Sequence, residues 1–275
     1  MKEKLKNLPV FIVNLKKDIE KKEHMQKLCE KHSLNYRFFD AIYGKHLSNE
    51  EINQVYAQKE AVQYSGKGLS LGEIGCALSH KNIYRTIIDE KLEQALILED
   101  DIEFNRNIEE ILKSLSLFPT DWEVVLLGHH SYISRESETR SNVWWSRQIT
   151  PNYQLKRPSE IGYGTYGYLI NKRGAQKLFD KLKHIYKPID HYTGNDKDVN
   201  IYIITPAPIS IHTDMSDNFH SMDDRMNAQM NLKKINESKK LSPKQLLRSL
   251  GLFNSVVLIR DLLKTFIPLK KYMDI

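Results

Sequence analysis

Three consecutive acids, Glu99, Asp100 and Asp101, follow the apolar run "ALIL" that begins at residue 95. Adjacent carboxylates repel one another, which raises the cost of keeping all of them ionised. A hard divalent cation removes that cost, because Mg²⁺ and Mn²⁺ prefer carboxylate oxygens and share their remaining positions with phosphate. Residues two apart in an extended chain point the same way, so Glu99 and Asp101 could reach one ion. The alternative is a solvated strand end in which Asp100 caps a turn.

These acids need a scaffold, and the sequence around them predicts an alternation of strands and helices. The clearest helix is 70–92, where Ser70 and Glu73 fit a capping box and apolar residues recur at helical spacing. Alternation over about 200 residues predicts an α/β fold, a Rossmann-like mostly parallel sheet with helices on both faces. The predicted strands are 8–15, 35–42, 94–100, 122–128, 164–170 and 199–205.

The predicted sheet also says where a ligand would bind. In an open α/β sheet, ligands bind beyond the carboxyl ends of the strands, so the three acids are expected at that edge. Residues 129–163 are polar and aromatic with little periodicity. We expect them to form a long excursion over the same edge, where loops often carry function.

The charge of the chain is concentrated at its end. The 275 residues carry a formal net charge of +6, and residues 231–275 alone contain ten basic and three acidic residues, a charge of +7. Residues 1–230 are therefore nearly neutral. A nucleic-acid binder more often spreads basic charge over its folded face, so we expect no nucleic-acid partner. This pattern predicts one α/β domain, 1–230, and a basic helical C-terminal tail, 231–275.

The tail is amphipathic, and it bears on where the protein works. A basic amphipathic segment suits an anionic membrane surface, whereas the alternative is a helix pair packed on the body or on a second subunit of a homodimer. No stretch approaches the roughly 20 apolar residues that span a bilayer, and the first apolar run is too short for a signal peptide. Cys29 and Cys76 lack metal-ligand spacing and suit reduced thiols. We expect a cytoplasmic protein, peripheral at the inner face of the cytoplasmic membrane.

Several motifs together resemble a known family. "SLGEIGCALSHKNIYRTI" followed by "ALILEDDIEF" looks like the paired signature of glycosyltransferase family 25, the bacterial lipooligosaccharide galactosyltransferase group that also contains the collagen galactosyltransferases. "VFIVNLKKDIEKKEHM", "YRFFDAIYGK", "WEVVLLG", "GTYGYLINKRGAQKLF" and "PID" are similar to further family segments in the same order. The resemblance covers roughly residues 8 to 215, while the tail and the region 129–163 match no family motif.

The resemblance implies a fold, a reaction and a donor site. It implies a GT-A-type fold and an inverting transfer of a hexose, most simply galactose from UDP-galactose, with Mn²⁺ or Mg²⁺ as cofactor. The acidic triplet then stands where such enzymes carry their Asp-x-Asp-type motif. The predicted metal ligands are Asp101, Glu99 and His212. The predicted donor-binding residues are Asn14, Asp40, Ser79, His80 and Asp100, each of which could instead serve only the local structure.

The acceptor side is less defined by sequence. Inversion needs a base for the acceptor hydroxyl, and Asp190 matches the family's Pro-x-Asp, with Asp196, Asp198 and Glu160 as alternatives. The resemblance implies a glycan or lipid-linked acceptor of the lipooligosaccharide or lipopolysaccharide type. Trp144, Trp145 and Tyr153 could stack on acceptor sugars or pack in the core.

Two other functions fit parts of the pattern. A metal-dependent hydrolase or phosphotransferase could use the acidic cluster, but it should carry a second His or Asp group at metal spacing, and none is evident. A catalytically inactive carbohydrate-binding homologue is the non-enzyme alternative. Such a homologue would be expected to lose the acids, whereas this chain keeps all three.

Overall fold

The computed structural model describes residues 8–212. The predicted tail, 231–275, and the last part of the predicted domain 1–230 lie outside the described residues. Within the described part, one large sheet is covered by helices on both faces.

The large sheet contains eight strands in the order β2-β1-β3-β8-β5-β9-β7-β6, and two short strands, β4 and β10, pair separately. Strands β1 to β5 are Val10–Asn14, Tyr36–Asp40, Gln94–Glu99, Ile102–Phe104 and Val124–His130. Strands β6 to β10 are Ser141–Thr150, Tyr153–Pro158, Tyr163–Asn171, Ile201–Thr205 and Ile209–Ile211.

Strand direction agrees with the predicted mostly parallel sheet. β1 is parallel to β2 and β3, and β5 is parallel to β9. β8 runs antiparallel between β3 and β5, and β7 runs antiparallel between β9 and β6. The remaining six strands of this sheet therefore share one direction. The carboxyl ends of β1, β2 and β3 meet at one edge, and the beginning of β8 reaches that edge from the opposite direction.

Seven α-helices flank the sheet in the described part of the chain. They are α1 Ile19–Lys31, α2 Asn49–Val55, α3 Gln58–Ser65, α4 Leu71–Asp89, α5 Ile108–Lys113, α6 Lys172–Lys181 and α7 Ile189–Thr193. The predicted capping box at Ser70 and Glu73 is present at the start of α4, with both reciprocal hydrogen bonds formed.

Two apolar cores occupy the two faces of the sheet because side chains alternate along each strand. Val10 and Ile12 of β1 pack in the core that contains Met25 of α1 and the apolar face of α5. Phe11 and Val13 pack in the other core, against α4, α6 and α7. The predicted Rossmann-like α/β fold with helices on both faces is confirmed.

The region 129–163 differs in part from its prediction. Its hairpin β6–β7 extends the far end of the sheet through β9, whereas His130, Arg135 and Tyr163 of the same region line a cleft at the carboxyl ends of β1 and β3. Trp144 is 59% exposed on β6, while Tyr153 is 1% exposed and lies in a core. Trp145 packs against Tyr202 of β9. The alternation in these two strands was hidden because polar residues occupy most positions of the outermost strand.

No helix among residues 8–212 has the length and apolarity that a membrane crossing requires.

Candidate active site

An open cleft of about 310 Å³ lies at the carboxyl ends of β1, β2 and β3. Its walls come from these strand ends, the turn at 41–45, the first turns of α4, the start of β8 and the start of α7. The predicted site residues that line it are Ser79, Glu99, Asp100, Asp101 and Asp190. This is the edge where the sheet was expected to present a ligand site.

The acidic triplet does not continue as an extended strand. β3 ends at Glu99, and residues 100 and 101 form a turn before β4. The strand alternation that would have paired Glu99 with Asp101 therefore stops, and Asp100 and Asp101 instead share a partner. Lys21 of α1 donates a hydrogen bond to Asp101 Oδ2 at 2.9 Å and lies 3.4 Å from Asp100 Oδ1.

Asp100 and Asp101 are neighbouring carboxylates in a largely buried environment, which shifts the pKa values of Asp100 and of Lys21 beside them. Burial raises the pKa of Asp100 to about 6, although Lys21 opposes the shift. Burial lowers the pKa of Lys21, but the charges of Asp100 and Asp101 outweigh that effect and leave it above its ordinary value. Asp101 is itself buried. The site thus holds more negative charge than one lysine compensates and favours an additional cation.

Glu99 faces a different set of neighbours. Thr165 of β8 donates a hydrogen bond to Glu99 Oε1 at 2.7 Å. Burial raises the pKa of Glu99 to about 7, and the charge of Asp101 adds to the shift. Among residues 8–212, the three side chains whose ligating atoms lie within 4.8 Å of one another are Cys76, His80 and Glu99.

The two polar strand ends have different surroundings. Asn14 at the end of β1 is buried, and its amide donates to Asp100 Oδ2 at 2.7 Å and to the Asp18 carbonyl oxygen at 3.2 Å. Asn14 therefore orients an acid of the triplet. Asp40 at the end of β2 is exposed, outside the cleft lining, and pairs with Lys16 at 3.1 Å.

Glycines let the turn at 41–45 approach α4 closely. A Cβ on Gly44 would lie 1.8 Å from the Leu71 carbonyl oxygen, and a Cβ on Gly75 would lie 2.6 Å from that of Ile42. Ser79 fastens this contact, because its hydroxyl accepts from the Ile42 amide at 2.8 Å and donates to the Gly75 carbonyl oxygen at 2.7 Å. The predicted donor-binding Ser79 thus shapes the cleft wall with a hydroxyl that is already engaged.

His80 lies beneath the cleft and not in its lining. It is fully buried, its Nδ1 is 2.7 Å from the hydroxyl of Tyr168, and that hydroxyl is 2.7 Å from the hydroxyl of Tyr84. Burial lowers the pKa of His80 to about 4, so the imidazole is neutral at physiological pH. His80 Nε2 is buried and has no hydrogen-bond partner within the described part of the chain.

Asp190 at the start of α7 is the acid with an unused buried oxygen. Its Oδ1 has no hydrogen-bond partner among the described residues, and His191 Nε2 is 4.0 Å away. The alternative bases are committed elsewhere. Asp196 pairs with Lys181 and Lys187, Asp198 pairs with Lys181, and Glu160 is held by Arg140 at 2.7 Å.

His212, the third predicted metal ligand, follows β10. Its backbone amide donates to the Asp101 carbonyl oxygen at 2.7 Å, and its ring contacts that of His24 edge to face at 4.8 Å. Its Nδ1 is buried without a hydrogen-bond partner in the range 8–212. The structure therefore places His212 beside Asp101 through the backbone, and it lies outside the cleft lining.

Sequence reasoning missed several cleft residues. Lys21 and Thr165 contact the triplet directly, and His130, Arg135 and Tyr163 form the wall near Asp190. Lys21 could have been found, because it stands one helical turn after Asp18 at the start of α1, close to the end of β1. The wall residues come from β5, the following loop and β8, and no local pattern joins them.

The residues present fit a hard divalent cation at Asp100 and Asp101. Both carboxylates line the cleft, burial raises the pKa of Asp100, and the neighbouring charge of Asp101 adds to that shift. Oxygen donors of this kind suit Mg²⁺ or Mn²⁺. Lys21 neutralises part of the negative charge of the two acids, so a bound ion would share them with this lysine.

Comparisons with known proteins identify the family of this chain. The family model described as "Glycosyltransferase family 25 (LPS biosynthesis protein)" matches residues 7–193. The chain is 31% identical over 178 residues to procollagen galactosyltransferase 1-B of Xenopus laevis, covering 62% of this chain and 28% of the relative. It is 30% identical over 196 residues to a glycosyltransferase 25 family member of Drosophila melanogaster, covering 69% of this chain and 29% of the relative.

The fold is that of an α/β protein with a cleft at its strand ends, and the family match identifies the class of protein as a glycosyltransferase. The chain belongs to glycosyltransferase family 25, the family that its sequence motifs resemble. It spans less than a third of the length of these curated relatives. Among solved structures, mouse xyloside xylosyltransferase 1 matches with 13% identity and a TM-score of 0.33, over 66% of this chain and 65% of that one.

Proposed function

We propose that this chain transfers a hexose, galactose from UDP-galactose, to a glycan hydroxyl with inversion at the anomeric carbon. The observation that carries the proposal is the cleft at the carboxyl edge of β1 and β3, whose lining in this family 25 chain includes Asp100, Asp101 and Asp190. Several relatives are procollagen galactosyltransferases, which supports galactose as the sugar.

Donor binding is assigned to the acidic side of the cleft. Asp100 and Asp101 would hold Mg²⁺ or Mn²⁺, with Asn14 fixing Asp100 through its 2.7 Å hydrogen bond. A divalent cation bound to a diphosphate stabilises the UDP leaving group as the anomeric bond breaks. Lys45 and Arg135 also line the cleft and offer positive charge to phosphate oxygens.

Acceptor activation is assigned to Asp190. The acceptor oxygen attacks the anomeric carbon, the bond from that carbon to the β-phosphate oxygen breaks, and the acceptor proton moves to Asp190 Oδ1. This oxygen is buried and has no hydrogen-bond partner among residues 8–212, so no existing hydrogen bond has to be broken before it accepts the proton. The paired states of Asp196, Asp198 and Glu160 argue against those alternatives.

The acceptor that we propose is a lipooligosaccharide or lipopolysaccharide glycan. The family description, which names lipopolysaccharide biosynthesis, supports this class. The procollagen galactosyltransferases among the relatives define the competing acceptor, a procollagen chain. Incubating the chain with UDP-galactose and each acceptor distinguishes the two by which one gains labelled sugar.

The experiment that tests the reaction is UDP release from a panel of UDP-sugars, with Mn²⁺, Mg²⁺ or EDTA and with an acceptor glycan present. We expect one UDP-sugar to turn over with metal and not with EDTA, and Asp101→Ala to lose that turnover. Asp89→Ala, at the exposed far end of α4, is the control and should match wild type. Failure of wild type to release UDP from any sugar under these conditions overturns the proposal.

We also propose that residues 231–275 bring the enzyme to an anionic membrane surface, where a lipid-linked acceptor would be found. The excess of ten basic over three acidic residues among interspersed leucines supports this location.

A further inference from the structure

The group Cys76, His80 and Glu99 lies outside the acid pair assigned to the donor, and its chemistry differs from that of the pair. Cys76 and His80 are four residues apart on α4, so both face the same side of the helix. Glu99 at the end of β3 completes the group, and one ligating atom from each side chain lies within 4.8 Å of the other two.

The imidazole of His80 is held in place by its other contacts. Its Nδ1 is 2.7 Å from the Tyr168 hydroxyl, which is in turn 2.7 Å from the Tyr84 hydroxyl. A histidine that ligates a metal through one ring nitrogen usually uses the other in such a hydrogen bond, which fixes its tautomer and orientation. Nε2 is left buried, on a residue with 0% exposure, without a partner in residues 8–212. A buried ring nitrogen without a partner is costly to the fold unless a ligand uses it.

We propose that Cys76, His80 and Glu99 form a binding site for a borderline-soft divalent cation, Zn²⁺ in particular. Thiolate sulfur, imidazole nitrogen and carboxylate oxygen are the three donor types that Zn²⁺ accepts, whereas Mg²⁺ discriminates against sulfur. Tetrahedral bonds of about 2.0–2.3 Å separate ligand atoms by roughly 3.3–3.8 Å, so the group must contract by about 1 Å to bind.

The site has an entry path and a free position. Cys76 and Glu99 line the cleft, so an ion can reach them from solvent, while His80 supplies its ligand from below. Water from the cleft can fill the fourth position. Binding transfers the Cys76 thiol proton to the buffer and forms the metal–sulfur bond, with no change in oxidation state. The ion would tie α4 to β3, and its binding does not depend on the proposed transferase reaction.

The chain offers a matched control, because its second cysteine is remote from this group. Cys29 is fully buried in the opposite core, between α1 and the sheet. Burial raises the pKa of its thiol to about 12. Cys29 is thus an unreactive thiol against which Cys76 can be compared.

The test uses the full chain and the metals alone. Co²⁺ added to the wild type and to Cys29→Ala should give a near-ultraviolet thiolate-to-metal absorption band, which Cys76→Ser should lack. Zn²⁺ should displace Co²⁺, and Cys76→Ser should weaken Zn²⁺ binding, measured against a colorimetric chelator, by at least tenfold. Asp101→Asn should keep the band, because it alters only the acid pair.

A second measurement needs no variant, so it holds even where Cys76→Ser is poorly folded. Zn²⁺ should slow maleimide labelling of Cys76 in the wild type, read by peptide mass, and the same concentration of Mg²⁺ should not. Absence of the thiolate band together with unchanged labelling in Zn²⁺ overturns the proposal. A thiolate band that persists in Cys76→Ser and disappears in Cys29→Ala overturns it as well.

Discussion

Replacing Glu99 by glutamine is expected to stabilise the protein, and more so at high pH. The pKa of Glu99 is raised from 4.5 to about 7, chiefly by burial. A carboxyl whose pKa is higher in the folded state binds more protons there, so its contribution to stability is lost as pH rises from about 4.5 to 7. Glutamine keeps an oxygen for the Thr165 hydrogen bond and carries no charge to desolvate.

The size of the effect follows from the shift. About 2.5 pKa units correspond to roughly 3 kcal/mol at pH 8, most of which is absent at pH 5. The Glu99 side chain keeps some solvent contact, so we expect the variant to gain about 2 kcal/mol relative to wild type between pH 5 and pH 8. Urea unfolding at both pH values in EDTA measures this difference.

Glu93→Gln, an exposed position just before the same strand, is the control and should show no such gain. An unchanged difference between Glu99→Gln and wild type at the two pH values would refute the reasoning, because it would mean that Glu99 is ionised without penalty in the folded state.

Three further predictions concern the other parts of the site. Lys21→Met leaves Asp100 and Asp101 without their counter-charge and should lower the free energy of unfolding by about 2 kcal/mol at pH 8, a loss that Mg²⁺ should partly recover. Lys27→Met, at an exposed position on the same helix, is the control and should lower it little. Equal losses in the two variants would contradict the ion pairing. Asp190→Asn should lower kcat roughly 10²- to 10⁴-fold with little change in the KM for donor, and retention of kcat would exclude it as the base. Deleting residues 242–275 should abolish co-sedimentation with phosphatidylglycerol vesicles, and unchanged sedimentation would exclude the tail as the membrane element.

The fold could be predicted because its evidence is local. The apolar run ending at Asn14 and the capping box at Ser70 are fixed by neighbours in sequence, and both appear in the structure as strand and helix start. The antiparallel direction of β8 was not predictable, since its apolar pattern is the same whichever way the strand runs.

The candidate site was only partly predictable, because local patterns identify some of its residues but not the contacts between distant ones. The acid triplet is visible as three consecutive acids after an apolar run, and Asp190 was singled out by its motif. The pairing of Asp100 with Lys21 was hidden, because 79 residues separate them and the turn after Glu99 decides which acids face one another. Ser79 and His80 were both singled out for the donor, but one fastens the turn at 41–45 and the other lies below the cleft.

The most direct test of the donor site is calorimetric titration of the chain with UDP-galactose in Mn²⁺. The wild type and the remote control Asp89→Asn should bind with equal affinity, and Asp101→Asn should bind at least tenfold more weakly while keeping its fold by circular dichroism. Equal affinity of all three proteins would contradict the assignment of the donor to the cleft at Asp100 and Asp101.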